Sequence, residues 1–260
     1  MSNLKLGRKP ALFTSQSMKL AFRIEQSLNI IGPAPMVSAD FTSAVTDLVG
    51  TNWGMMLNDQ LGCCTCSDSG HTLMLRTANT GTWHYPSDAD IMTMYRACSG
   101  YDPSVPASDQ GCDENVVCQY MMDTGLAGHK SVGTAPIVTG RMDSAALERI
   151  RWGVQLFGAV RLGVNLPDNA EQQFDAGVPW TVVGTPEIDG GHDVPVVKYD
   201  GAYFYVVTWG KLQKVSRDWL LQYVEEAHVE MYPDFLMSTG LTPAKFDMNT
   251  LIADMRELSA

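Results

Sequence analysis

The feature that most narrows the folds open to this chain is a run of small and thiol-bearing residues that leads into a helix. In Asn58-Asp59-Gln60-Leu61-Gly62-Cys63-Cys64-Thr65-Cys66-Ser67, a glutamine stands six residues ahead of a cysteine. The pattern from Cys66 to Ala78 then favours a helix, with Leu73, Met74 and Thr77 on its inward face. A cysteine at a helix N-terminus feels the positive end of the macrodipole, which favours the thiolate. A glutamine amide folded back toward it can donate to an oxyanion. Such a pair needs a histidine as base, and Gly190-Gly191-His192-Asp193-Val194 offers one.

Composition removes several alternatives. The 260 residues carry a formal charge of −11, the reverse of the basic footprint that nucleic acid requires. At 45% hydrophobic and 9% aromatic, the chain has the makings of a sizeable core. No apolar run approaches the ~20 residues needed to span a bilayer, so no membrane span is expected. The basic residues Lys5, Arg8 and Lys9 have no apolar segment behind them, so no secretory signal is read. The expectation is synthesis in a reducing cytoplasm, with free thiols. A zinc site at Cys63-Cys64-Thr65-Cys66 would need a second ligand pair at close spacing, and Cys112 and Cys118 stand six apart. Neither metal nor cofactor is expected.

Four segments follow in order: an arm over 1–45, a mostly helical lobe over 46–135, a strand-rich lobe over 136–235 and a helical tail over 236–260. In the arm, Ser15 to Leu28 is expected to be a short helix. In the helical lobe, Ser87 caps Asp88 to Ala97 and Asp113 starts Val116 to Thr124. His71, on the helix that begins at Cys66, reads as an ordinary structural histidine. In the second lobe, Ser144 caps a helix over Ala145 to Phe157, and Val160 to Val164 is a strand. Trp180 to Val183 is read as extended. His192 to Tyr199 and Ala202 to Trp209 form a hairpin through Asp200-Gly201. A helix from Ser216 runs through Ala227, and Met248 to Leu258 forms a last one.

These motifs carry a resemblance. Gln60 to Cys66 resembles the glutamine-to-nucleophile segment of the papain-like cysteine proteases. Gly191 to Tyr199 is similar to that family's histidine strand, and Tyr203 to Gly210, ending Val207-Thr208-Trp209-Gly210, resembles the strand that follows it. The resemblance implies an α+β, two-lobed papain-like fold, with a helical lobe, an antiparallel β-barrel-like lobe and the cleft between them. It implies Cys66 as nucleophile, His192 as its proton partner, and Gln60 with the backbone N–H of Cys66 as oxyanion donors. It also makes Cys63 and Cys112 candidate disulfide partners, a pair that a reducing cytoplasm would leave as thiols.

The third catalytic position departs from the family pattern. An asparagine normally stands two residues before the tryptophan, where this chain has Val207, followed by Thr208. Valine cannot accept a proton from the imidazole; threonine can. Thr208 is therefore the expected orienting residue. Ser67 replaces an aromatic residue and Cys64 a glycine. Two functions follow. One is a thiol hydrolase, a peptidase or amidase acting on a peptide or protein substrate. The alternative, from resemblance to papain-fold proteins of phages and prophages, is a non-catalytic virion component of a bacteriophage, a capsid decoration or attachment protein whose partners are capsid proteins.

Overall fold

A helix that is buried on every side organises the molecule. In the computed structural model, which describes residues 4–10, 35–138 and 142–247, helix α2 spans Cys64–Thr80, and every residue from Cys64 to Thr77 is buried. A helix apolar all round is the usual solution for such a position. This one carries Thr65, Ser67, Asp68, Ser69, His71 and Thr72, so its polar groups must be met by protein. Ser67 Oγ donates to Met56 O at 2.9 Å, and His71 Nε2 bonds Gly54 O at 2.9 Å. His71 is the structural histidine expected. Gly81, at φ 77°, ends the helix in the left-handed conformation that glycine adopts without strain.

Three other helices surround it: α1 (Ser43–Val49), α3 (Asp88–Ser99) and α4 (Glu114–Asp123). Ser87 and Asp90 form a reciprocal capping box at the start of α3, and Asp113 accepts from Asn115 and Val116 at the start of α4. Both starts are as the sequence predicts. For α5 (Ser144–Phe157) the cap lies one residue earlier than expected: Asp143 Oδ1 accepts from Ala146 N at 2.8 Å, and Ser144 is already helical.

The rest is one antiparallel sheet, ordered β2-β7-β3-β4-β5-β6, from β2 (Gly133–Val138), β3 (Val160–Pro167), β4 (Ile188–Tyr199), β5 (Tyr203–Thr208), β6 (Lys211–Ser216) and β7 (Val224–Met231). A two-residue β1, Ala39–Asp40, pairs with β4. The predicted hairpin is β4–β5, and Asp200 Oδ1 closes its turn by accepting from Ala202 N and Tyr203 N. Short helices α6 (Ala170–Asp175) and α7 (Arg217–Tyr223) complete the α-helices among the described residues, and two 3-10 turns, Pro106–Ser108 and Pro233–Phe235, lie in loops. The helix expected to reach Ala227 stops at Tyr223, because the next eight residues form β7, inside the sheet. Trp180 to Val183 is not a strand; Trp180 alone bridges to Val215. The helices expected over 15–28 and 248–258 lie outside the described residues.

Register explains how the sheet serves two surfaces. Gly163 faces both Asp193 and Glu226, and Arg161 faces His228. With the side-chain period of two, Arg161, Asp193, Glu226, His228 and Glu230 share the face turned to α2. Ala227, Val229 and Met231 face α5, which approaches the sheet closely at Gly153. A Cβ there would stand 2.4 Å from Val160 Cγ2 and 2.9 Å from Val229 Cγ1. Gly153→Ala is therefore expected to destabilise by about 1–3 kcal/mol through overpacking, read as a lower urea midpoint with unchanged m-value.

Candidate active site

The N-terminus of α2 is where the thiols diverge. Cys63 is the N-cap and Cys64 the first helical residue, a position whose N–H has no intrahelical acceptor. Residues two apart on a helix point about 200° apart, so Cys64 and Cys66 face opposite ways. The Cys64 sulfur lies beside the backbone of Asp193, the neighbour of His192, and that of Gly7. The Cys66 thiol instead lies toward Cys98 on α3, with Cys112 and Cys63 close by. Its N–H is already used, donating to Cys63 O at 2.9 Å. The expected Cys66 thiol thus turns into the helical lobe and lacks a free N–H for an oxyanion, while Cys64 lies against the histidine strand.

The remaining expectations divide. All six cysteines are free thiols, so the structure contains no Cys63–Cys112 bridge. Cys63 Sγ lies 3.5 Å from Met56 O and 3.6 Å from Ser67 Oγ, whereas the Cys112 thiol donates to Asp113 O at 3.6 Å. Gln60 is exposed in the turn before the helix, its N–H donating to Leu57 O at 2.9 Å. His192 and Thr208 do meet, Nε2 to Oγ1, at 2.9 Å. The imidazole also stacks on Trp209, with centroids 5.0 Å apart and planes at 17°. Trp209, at φ 45°, is in turn packed by Phe174 and Trp180. The other ring nitrogen, Nδ1, is buried without a hydrogen-bond partner.

A buried charge network fixes these parts relative to one another. Arg161, fully buried, donates from Nη1 to Thr65 O and Asp193 Oδ2, both at 2.9 Å, and from Nη2 to Ser69 Oγ at 2.7 Å. Asp68 and Glu230 lie 3.3 and 3.6 Å from Nη2. One guanidinium from β3 thereby ties the first turn of α2 to the residue after His192. Burial raises Asp68 and Asp193 well above the ordinary carboxylate range, against the pull of Arg161.

The N-terminal segment lies over the site. Arg8 N donates to Gly191 O at 3.0 Å, Lys9 N to Cys112 O at 3.0 Å, and Cys112 N to Gly7 O at 2.7 Å. The close crossing depends on missing side chains: a Cβ on Gly7 would sit 1.9 Å from Gly62 O, and one on Gly191 would sit 2.3 Å from Arg8 O. Beneath this segment burial raises the Cys64 thiol to about 12, and burial together with Arg8 lowers His192 to about 3. The pair as arranged is a neutral thiol and a neutral imidazole.

Among the described residues, one group has metal-ligand spacing: Glu114, Glu226 and His228, all buried, with ligand atoms within 4.8 Å of one another. His228 Nδ1 bonds Glu114 Oε2 at 3.0 Å, and Glu226 Oε1 already holds Arg8 Nη1 at 2.6 Å. Sequence reading passes over this group because its three residues come from α4 and β7, more than a hundred residues apart. The alternation Glu226-Ala227-His228-Val229-Glu230 was the available signal, hidden by reading the segment as helix.

No family model matches the sequence, and no curated protein does. Solved structures do. Xylellain, a cysteine protease from Xylella fastidiosa, superposes with a TM-score of 0.59 at 12% identity, covering 88% of this chain and 97% of its own. ProCathepsin B S9 from Trypanosoma congolense gives 0.53 at 13% identity over 89% and 83%. The bromelain protease from Ananas comosus, in complex with the E64 inhibitor, gives 0.53 at 12% over 75% and 99%. At such identities the likeness is one of fold: this chain has the papain-like α+β architecture.

Proposed function

We propose that the protein is a papain-fold thiol hydrolase, a peptidase or amidase, whose nucleophile is Cys64 and not Cys66. The observation that carries this is the opposite facing of the two thiols, with the Cys64 sulfur on the side of the Asp193 backbone, next to His192. In this reading His192 Nδ1 takes the Cys64 proton while Thr208 holds Nε2. The thiolate attacks the carbonyl carbon, and the N–H at the head of α2 with the Gln60 amide receives the oxyanion. The imidazolium then protonates the leaving amine, and water releases the acyl group with His192 as base. No cofactor or metal enters these steps. Gln60 is exposed and free to turn toward the helix head.

Thr208 is a positioning residue. Thr208→Val is expected to lower turnover by roughly tenfold or more, with KM little changed, because the imidazole loses its Nε2 partner. Thr208→Asn is expected to retain activity. Kinetics on a peptide mixture cleaved by the unaltered protein test this.

One observation favours the second reading, a non-catalytic papain-fold protein such as the virion component suggested by sequence resemblance. The segment around Gly7 covers the sulfur, and burial raises the Cys64 thiol to about 12. The two readings separate on turnover. If neither the unaltered protein nor Arg8→Ala cleaves any member of a diverse peptide library, and the protein is recovered in fixed ratio with phage particles, the second holds.

A further inference from the structure

Beside Cys64 is a pocket whose construction is independent of the thiol. Its walls are Glu114 from α4 and Glu225 and Glu226 from β7, and its floor is Gly163 on β3. The Arg8 side chain fills it and is 1% exposed. Nη1 bonds Glu226 Oε1 and Nη2 bonds Glu225 Oε2, both at 2.6 Å, with Asn165 Oδ1 3.4 Å from Nη2. The glycine is needed for the space: a Cβ at 163 would stand 2.4 Å from Glu114 Oε1, 2.7 Å from Glu226 Cγ and 2.9 Å from Arg8 Cδ.

Two further facts mark a recognition site instead of a simple ion pair. The acids outnumber the cation, and Glu114 Oε1, Glu226 Oε2 and His228 Nε2 are buried without partners. Glu225 is 36% exposed, but Glu114 and Glu226 are both buried beside one guanidinium, a desolvation cost that a single pair does not offset. The backbone around Arg8 is also held generically, through N–H and C=O groups of Gly191 and Cys112 that any extended peptide could use. The charge is specific and the main-chain pairing is not.

We infer that this pocket selects an arginine side chain in peptide partners, and that Arg8 is its occupant supplied by the chain itself. The inference rests on the reading of the Cys64 cleft as the place where peptide lies. A planar guanidinium matches two carboxylates from different directions, as a point-like ammonium does not. Displacement of Arg8 by an arginine-bearing peptide would bring that peptide's backbone across the sulfur where Gly7 now lies.

The test is calorimetric titration of full-length Arg8→Ala with acetyl-Leu-Gly-Arg-Lys-amide, the sequence of residues 6–9, against the same peptide carrying the isosteric, uncharged citrulline. The arginine peptide is expected to bind at least tenfold more tightly than the citrulline peptide, and at least tenfold more tightly to Arg8→Ala than to the unaltered protein. Adding Glu226→Gln is expected to erase the preference. Equal binding of the two peptides, or tighter binding of Zn²⁺ with neither peptide bound, overturns the inference; the second result assigns Glu114, Glu226 and His228 to a metal. If Arg8→Ala does not fold, trypsin reports on the unaltered chain. Cleavage after Arg8 should be slow and should accelerate at least tenfold in Glu226→Gln, and equal rates again overturn the inference. Binding is read without turnover, so the two proposals fail separately. Selective binding with no hydrolysis removes the hydrolase alone. Hydrolysis indifferent to arginine removes the pocket alone.

Discussion

Cys64→Ala is expected to abolish hydrolysis, by a factor on the order of 10⁴ or more, while Cys66→Ala leaves turnover within about threefold of the unaltered protein. The magnitude follows from removing the atom that bonds to the substrate, since nucleophile deletions in acyl-transfer enzymes lose nearly all the chemistry the catalytic group supplies. The contrast follows from geometry. Cys64 opens the helix against the histidine strand, and Cys66 lies beside Cys98 inside the helical lobe. Cys66→Ala should act on stability alone, lowering it by about 1–2 kcal/mol for the small cavity it leaves. Kinetics and urea denaturation on both variants separate the two effects.

The largest effect on stability is expected at Arg161. Arg161→Met keeps an apolar stem of similar length but leaves Asp68, Asp193 and Glu230 without their cation. Breaking a buried pair in this way costs about 3–5 kcal/mol, a large share of the ~5–15 kcal/mol that holds a typical domain. The loss should depend on pH. Asp68 and Asp193 already have folded-state values raised well above the ordinary carboxylate range, so the folded protein holds their protons more tightly than the unfolded chain does. A raised acid contributes stability that is present below its unfolded pKa and lost as pH rises through the folded one. Without Arg161 both shifts grow. The deficit of the variant should therefore be larger at pH 8 than at pH 5, in thermal melts at both values. Equal deficits would mean the carboxylates are not relieved by protonation. Because Arg161 also grips Thr65 O and Asp193, beside the thiol and the imidazole, a partly folded variant should lose activity before it loses structure.

Much of this arrangement was legible in the residues. Local signals gave the helix at the cysteine turn, the Ser87 and Asp113 caps and the hairpin through Asp200. The resemblance gave the architecture and pointed to His192 and Thr208, which the structure brings within hydrogen-bond distance. The choice of Cys66 over Cys64 turned on counting six residues from Gln60, a spacing that says nothing about which way a thiol points. The proposal of Cys64 rests on one residue of helix start: with Cys64 as the first helical residue, Cys66 is a turn-interior residue with its N–H engaged. Strand β7 was missed because Ser216-Arg217-Asp218 is a genuine helix start, and the pattern after Tyr223 carries charges on the buried face. Alternation normally marks the apolar face as the inner one. In β7 both faces are inner, one turned to α5 and the other to the carboxylates and guanidinia between the lobes. The pocket around Arg8 was illegible for a related reason: its members come from the arm, α4, β3 and β7, and only the sheet register brings them together.

The account depends most on Cys64 being the thiol that works with His192. The direct measurement is mass-spectrometric mapping of iodoacetamide alkylation over time at pH 7, on Arg8→Ala with and without His192→Ala. The expected result is modification of Cys64 at least tenfold faster than Cys66, with that advantage lost when His192 is removed. Cys66 reacting first, or a Cys64 rate indifferent to His192, would contradict the account.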